Sequence, residues 1–244
     1  MQSDSSFDGA VASLRAVGYS RLSPAQFTRT LSVETGTLQK LSGSWESLPS
    51  DEYLRDGGHY RSRRHSCFVQ EFEPASLTLV PHRAHWQPTT YNALHGGIER
   101  WFEPIDASVT GAAPWRMVLA SLGTLFARVS RVDRWFIEAH QFRIDTANGI
   151  GRPTPEGAHR DGVDFVAVIL VNRQHVRGGE TRVFDAHGTS GQRFTMEEPW
   201  SALLMDDARV IHETTPIQPD GGTGVRDTLV ATYRRGGFQQ PDPS

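Results

Sequence analysis

The sequence predicts a mostly β fold with flanking helices, built as an antiparallel β-sandwich or jelly roll. Three observations lead there. From residue 135 onward the chain breaks into short β-rich segments, 136–144, 165–172, 181–185, 202–205 and 228–233, each bounded by Gly, Pro or Asp. Helical periodicity is confined to the first half. No fixed-period repeat and no low-complexity block runs through the 244 residues, which excludes solenoids and propellers.

Taken in order, Ser23 and Pro24 read as an N-cap followed by a first-turn proline. Phe27, Leu31, Leu38 and Leu41 then recur at helical spacing, with Gly36 weakening the middle. A second helix opens at Pro114, where Trp115, Val118, Leu119, Leu122, Phe126 and Val129 form one apolar stripe. Residues 60–101 mix a basic cluster (Arg61, Arg63, Arg64) with several histidines and a Gly96-Gly97 turn, and read as loop and edge strand. Segment 165–171 has no polar face, which predicts a central strand covered on both sides, with helices of the first half as one cover. The expected organisation is a single domain over 1–244, in which 1–134 give helical and loop support and a lid, and 135–240 form the β core.

Composition bounds the function. With 37% hydrophobic and 22% charged residues the chain is globular in class. Lys40 is the one lysine among 25 basic residues, a skew that reads as genome composition rather than as a binding surface. A net charge of -3 and a pI near 6.4 argue against a nucleic-acid partner held by its phosphates. The single Cys67 excludes an internal disulfide and a thiolate zinc site, and itself reads as a small buried hydrophobe. Residues 1–10 lack a basic then apolar leader, and the longest apolar run, 165–171, spans seven residues where a membrane helix needs roughly 20. A cytoplasmic protein with no membrane partner is expected.

His159-Arg160-Asp161 sets an imidazole and a carboxylate at i and i+2, on one side of an extended chain. With a second histidine from elsewhere, such a pair makes the 2-His-1-carboxylate facial triad of non-haem Fe(II) oxygenases. Chance alone supplies about one His-x-Asp/Glu pair in a chain of this composition, and a surface histidine bonded to a carboxylate is the plainer reading. Context shifts the balance. Gly178-Gly179-Glu180-Thr181 opens a strand after a turn, and His212 ends another, in His212-Glu213-Thr214-Thr215-Pro216. Beyond the turn at Gly221, Gly222 and Gly224 stand Arg226 and Thr228, again at i and i+2. A guanidinium fork beside a hydroxyl makes a receptor for the distal carboxylate of a dicarboxylic acid. Taken singly, His212 could be a core histidine bonding a carbonyl; Arg226 and Asp227, on alternate faces, are poor partners for each other.

In that order these elements resemble the Fe(II)/2-oxoglutarate-dependent dioxygenases on a double-stranded β-helix, a cupin-like jelly roll. The wider run Pro153-Thr154-Pro155-Glu156-Gly157-Ala158-His159-Arg160-Asp161-Gly162, with Val171-Asn172-Arg173, resembles the bacterial free amino acid hydroxylases that include the L-isoleucine 4-hydroxylase. The likeness is densest over 136–235, with a thinner match around residues 60–64 and at Tyr91-Asn92. It implies His159, Asp161 and His212 as iron ligands, Arg226 and Thr228 on the 5-carboxylate of 2-oxoglutarate, and Fe(II), 2-oxoglutarate and dioxygen as cofactor and cosubstrates. The reaction implied is hydroxylation of an unactivated C–H bond in a small-molecule substrate, a free L-amino acid in that subfamily.

Other residues carry looser expectations. Gln141 and Arg143 share one face of the preceding strand and are candidates for the 1-carboxylate of 2-oxoglutarate or for a substrate carboxylate, or are plain edge-strand polars. Arg61, Arg63 and Arg64 are candidates for a substrate carboxylate, against a solvated charge cluster. Glu156 is the candidate for a substrate ammonium. Trp115, Phe165 and Trp200 read as core; His140, His175 and His187 carry no assignment. Two rivals stay open: a zinc or manganese cupin acting as hydrolase or isomerase, against which Arg226-x-Thr228 discriminates, and a non-catalytic small-acid sensor.

Overall fold

A computed structural model describes residues 7–241; residues 1–6, part of the stretch read above for a leader, lie outside it, as do 242–244. Helix α1 (Asp8–Val17) ends at Gly18 in the left-handed region, φ 83°, and leads into strand β1 (Tyr19–Leu22). The Ser23 cap is realised in α2 (Pro24–Leu31): Ser23 Oγ accepts the Gln26 N–H and the Gln26 side chain accepts the Ser23 N–H. The helix does not run on to Leu41. Ser32 turns left-handed at φ 54°, and the apolar spacing continues as a separate short helix, α3 (Thr35–Gln39), and a 3-10 turn at Ser42–Trp45.

Strands β2 (Arg61–Phe72) and β3 (Ala75–Leu79) follow, then α4 (Ala107–Thr110) and α5 (Ala113–Val129), which matches the predicted second helix. The remainder is strand: β4 (Arg134–Asp145), β5 (Phe165–Gln174), β6 (Val176–Gly178), β7 (Glu180–Asp185), β8 (Gly191–Thr195), β9 (Ala202–Asp206), β10 (Val210–Thr214), β11 (Ile217–Pro219) and β12 (Val225–Arg234).

The main sheet runs β1-β9-β5-β12-β4-β2-β3; a smaller one runs β10-β7-β8, and β11 pairs with β6. Every pairing is antiparallel. This is the expected jelly roll, and β5 is the central strand the sequence predicted. Its Ala167, Ile169 and Val171 pack into the core under the helices with Leu14, Phe27, Leu119 and Leu122. Val166 and Leu170, on the other face, meet Val183, Val210 and Met205 between the two sheets. Trp115, Phe165 and Trp200 are buried in the core and Cys67 is a buried free thiol. Among the described residues no helix is long and apolar enough to cross a membrane.

One segment departs from expectation. The sequence predicts loop and edge strand over 60–101, yet β2 is a twelve-residue strand inside the sheet, paired with β4 from Arg61↔Ile144 to Glu71↔Arg134; β3 is the edge. The strand is hard to see because Arg61, Arg63 and His65 on its inner face are buried polar residues with buried partners, which erases the apolar alternation. The main sheet therefore takes β1, β2 and β3 from before residue 135.

The Gly178-Gly179 turn opens β7 as predicted. Both glycines are left-handed, φ 79° and 68°, and a Cβ at Gly178 would lie 2.5 Å from the Pro216 carbonyl oxygen.

Candidate active site

A cavity lies between the inner face of the main sheet and β10, closed on a third side by the loop that carries residues 153–163. That loop is tied to β10 through its backbone. The N–H of His159 donates to the His212 carbonyl at 3.0 Å and the N–H of His212 donates back at 2.9 Å, an isolated antiparallel bridge. Two residues 53 positions apart are thereby set directly opposite, and their ring centroids stand 4.6 Å apart. His212 lies within β10, not at its end.

The carboxylate joins them through Asp207, which is 0% exposed. Its two oxygens accept the backbone N–H groups of Asp161, Gly162 and Val163 at 2.9, 2.8 and 3.2 Å, and Gln239 Nε2 donates to the Asp161 and Gly162 carbonyls. The backbone so clamped delivers Asp161 Oδ2 to within 3.1 Å of His212 Nε2 and Oδ1 to within 3.9 Å of His159 Nε2.

His159 Nδ1 faces the Gly157 carbonyl at 2.9 Å. A carbonyl only accepts, so Nδ1 carries a proton and Nε2 is the nitrogen turned toward Asp161. Burial pushes the Asp161 carboxyl up, but the His212 hydrogen bond and the His159 charge outweigh it and hold it at about 2. The ligand atoms of His159, Asp161 and His212 all lie within 4.8 Å of one another, a donor set suited to a divalent metal with positions left open.

Across the cavity, Arg226 and Thr228 line the wall from β12, as their shared face requires. Arg226 is 3% exposed, and its Nε and Nη2 have no hydrogen-bond partner among the described residues. Its neighbour Asp227 is already gripped by Arg143, two bonds of 2.8 Å, and by Asn172. Burial, then Arg173, lower the Arg226 pKa to about 10, so it stays cationic at neutral pH. A buried guanidinium with unanswered N–H groups fits the carboxylate of a bound acid.

The other candidates divide. Gln141 and Arg143 do share a face, but the wrong one: they turn away from the cavity, Gln141 donating to Ser44 Oγ and Arg143 held by Asp227, so neither stands where it could touch a ligand there. The register decides this, because Ile144 and Phe142 sit opposite Arg226 and Thr228 and so occupy the cavity face. Arg61 and Arg63 do line the cavity, but both spend charge on the buried Asp51, at 2.7 and 3.7 Å. Arg64 points outward to Glu103. Glu156 lines the cavity with Oε1 3.5 Å from His159 Nε2 and with Oε2 buried and without a partner.

Several polar residues of the site were not singled out from the sequence. His65, His85, Glu138 and His140 form a second buried group whose ligand atoms lie within 4.8 Å of one another, and His85, Glu138 and His140 line the same cavity. Here one carboxylate oxygen is the hub: Glu138 Oε2 is 2.9 Å from His65 Nε2 and 2.6 Å from His85 Nδ1, while His140 Nδ1 is 2.7 Å from Arg63. Burial lowers His85 to about 4 despite Glu138, and lowers His65 and His140 as well. Glu138, although buried, is held well below the usual carboxylate range by His85 and His65. Gln87 completes the wall: its Nε2 donates to Asp161 Oδ1 at 3.3 Å and its Oε1 accepts from Arg100 and Asn92. No local motif marks these residues; their partners are tens of positions away.

A family model described as 2OG-Fe dioxygenase matches residues 42–232. No curated protein matches the sequence. Among solved structures, a bsmA homologue from Methylobium petroleophilum PM1 is 55% identical, with a TM-score of 0.93 over 97% of this chain and 96% of that one. IDO from Bacillus thuringiensis shares the fold at 19% identity and a TM-score of 0.77, over 96% of this chain and 100% of that one. The Fe(II)/(alpha)ketoglutarate-dependent dioxygenase TqaL does so at 18% and 0.69, over 95% and 90%.

Proposed function

The chain belongs to the 2OG-Fe dioxygenase family and is a 2-oxoglutarate-dependent iron oxygenase, and from that premise we propose that it hydroxylates an unactivated C–H bond of a free L-amino acid, with iron held by His159, Asp161 and His212. The supporting observation for the iron is the donor set itself: two imidazoles and one carboxylate whose ligand atoms lie within 4.8 Å of one another, beside a buried Arg226 whose Nε and Nη2 have no hydrogen-bond partner among the described residues. The Glu138 group has a different character, since its hub oxygen already bonds two imidazoles and Arg63 sits against the third.

Fe(II), 2-oxoglutarate and dioxygen, when bound, supply the oxidation: one oxygen atom goes to the substrate C–H and the other to succinate, with release of CO2. The chain's own residues do the rest. Asp207 and the His159–His212 bridge fix the metal-binding side chains before any ligand arrives. Arg226 orients 2-oxoglutarate by its 5-carboxylate, with Thr228 as an added donor. Val163, Val168 and Val230 give the cavity an apolar patch that excludes water and suits an aliphatic side chain. Glu156, whose Oε2 has no partner, offers a carboxylate to an ammonium group.

The test is a screen of free L-amino acids for substrate-stimulated succinate formation with a product one oxygen atom heavier. Aliphatic L-amino acids should respond; their N-acetyl and methyl ester derivatives should fail, because each removes a charge the cavity reads. Blocked derivatives or peptides turning over as well as the free amino acid would refute the amino acid reading and leave the oxygenase assignment intact.

A further inference from the structure

Arg226 is not the only buried cation of this cavity that lacks an anion. Arg100 lines the same wall at 2% exposure and has no carboxylate within 4.0 Å among the described residues. Its Nη2 donates to Gln87 Oε1 at 2.9 Å, its Nε is buried with no partner, and the Phe102 ring lies 5.9 Å from its guanidinium carbon. The backbone at Arg100 is fixed by a reciprocal pair of hydrogen bonds with His85, 2.9 and 3.0 Å, so the side chain rises from a rigid point.

Of the nearby acids, Asp51 serves Arg61 and Arg63, Glu138 serves His65 and His85, and Glu156, whose charge also reaches Arg100, makes no ion pair with it within 4.0 Å. Burial, then Arg61, lower the Arg100 pKa to about 10, so the charge persists at neutral pH. A guanidinium taken out of water without a counter-ion is unfavourable in the free protein unless a ligand supplies the anion.

We propose that Arg100 is the anchor for a carboxylate of the substrate, held at a fixed distance from the metal centre by Gln87. The geometry is a relay across one amide. Gln87 Oε1 accepts from Arg100 and from Asn92 Nδ2, at 2.9 and 3.1 Å, and Gln87 Nε2 donates to Asp161 Oδ1 at 3.3 Å. Asn92 is itself locked, its Oδ1 accepting the His95 N–H at 2.7 Å. A carboxylate bound by Arg100 is therefore one side chain away from Asp161, while Glu156 is 3.5 Å from His159. The pair reads the two ends of a zwitterion, and Arg226 is left for 2-oxoglutarate. This rests on the assignment of His159, Asp161 and His212 as the iron centre, and it replaces Arg143 and the Arg61–Arg64 cluster as the carboxylate site. Gln87 is a positioning residue.

The experiment uses the full chain loaded anaerobically with Fe(II) and saturating 2-oxoglutarate, and the same chain free of metal. Butyrate and butylamine are the probes, followed by the change they cause in the metal-to-2-oxoglutarate charge-transfer band and by the shift in melting temperature. Butyrate should bind the wild type, and Arg100→Gln should weaken it at least tenfold while 2-oxoglutarate affinity stays within twofold. Arg100→Lys, which keeps the charge and loses the fork, should fall between the two and serves if the glutamine variant does not fold. Equal butyrate affinity in wild type and variants overturns the proposal, as does a wild type that gives no butyrate response by either readout. Loss of 2-oxoglutarate in place of butyrate also overturns it, by assigning Arg100 to the cosubstrate. Failure of the amino acid reading looks different: butyrate still binds through Arg100, yet no free L-amino acid stimulates succinate formation.

Discussion

Asp207 accepts the backbone N–H of Asp161 at 2.9 Å and bears no solvent exposure. The carboxylate proposed as a metal ligand is thus aimed by another carboxylate 46 residues away, which terminates three consecutive N–H groups. Removing it leaves those donors buried and unanswered.

Asp207→Ala should destabilise the protein by about 3 kcal/mol, since each orphaned buried donor costs about 1–3 kcal/mol. It should also weaken Fe(II) binding by roughly tenfold or more, the usual effect of losing a residue that orients a metal ligand. Chemical denaturation and anaerobic iron titration check the two effects; an unchanged iron affinity would show that the 161–163 loop holds its shape without the clamp.

Asp161→Ala and His212→Ala should each lose most bound Fe(II) in the reduced, anaerobic protein, because two remaining ligands cannot make the facial set. The Glu138 group supplies the control. If iron content follows Glu138→Gln and survives Asp161→Ala, the metal sits in the second group of histidines.

Arg226→Ala should weaken 2-oxoglutarate by roughly tenfold or more, in line with about 1.5–3 kcal/mol for a charge-assisted bond. Iron affinity should hardly move. Titration of the charge-transfer absorbance measures this, and equal 2-oxoglutarate affinity in the variant would remove Arg226 from the site.

Acid should destabilise the fold through the buried histidines. His85 has a folded-state value of about 4 against about 6.5 in the unfolded chain. The unfolded state therefore binds the extra proton, and the contribution is complete above about pH 6.5 and lost as the pH falls toward 4. Lowered His65 and His140 act in the same direction, as does Glu138 below the ordinary carboxylate range; raised His159 acts in the opposite one. For His85 alone the loss is at most about 3 kcal/mol. Urea midpoints at pH 7.5 and about pH 5 should differ in the wild type and differ less in His85→Gln; a pH-independent midpoint would contradict the buried, neutral state.

What the sequence determined by itself is what short spacings encode. A two-residue period on an extended chain puts His159 with Asp161 and Arg226 with Thr228, and a capping box with a following proline starts α2 at Ser23. The apolar run 165–171 declares a strand buried on both faces, and it is one. Each of these features is fixed within a few residues by backbone geometry. The tertiary structure decided the rest, because it depends on register and on partners far along the chain. Gln141 and Arg143 show the limit: the sequence places them on one face of β4, but only the pairing of Ile144 with Arg226 says that the other face is the cavity's. β2 was hidden for the same reason. Burying Arg61, Arg63 and His65 is tolerable only because Asp51, His140 and Glu138 meet them, and nothing local announces those meetings. Arg100, Gln87 and Asp207 belong to this class too: each is an ordinary polar residue in sequence, made part of the site by hydrogen bonds that only the folded chain can close.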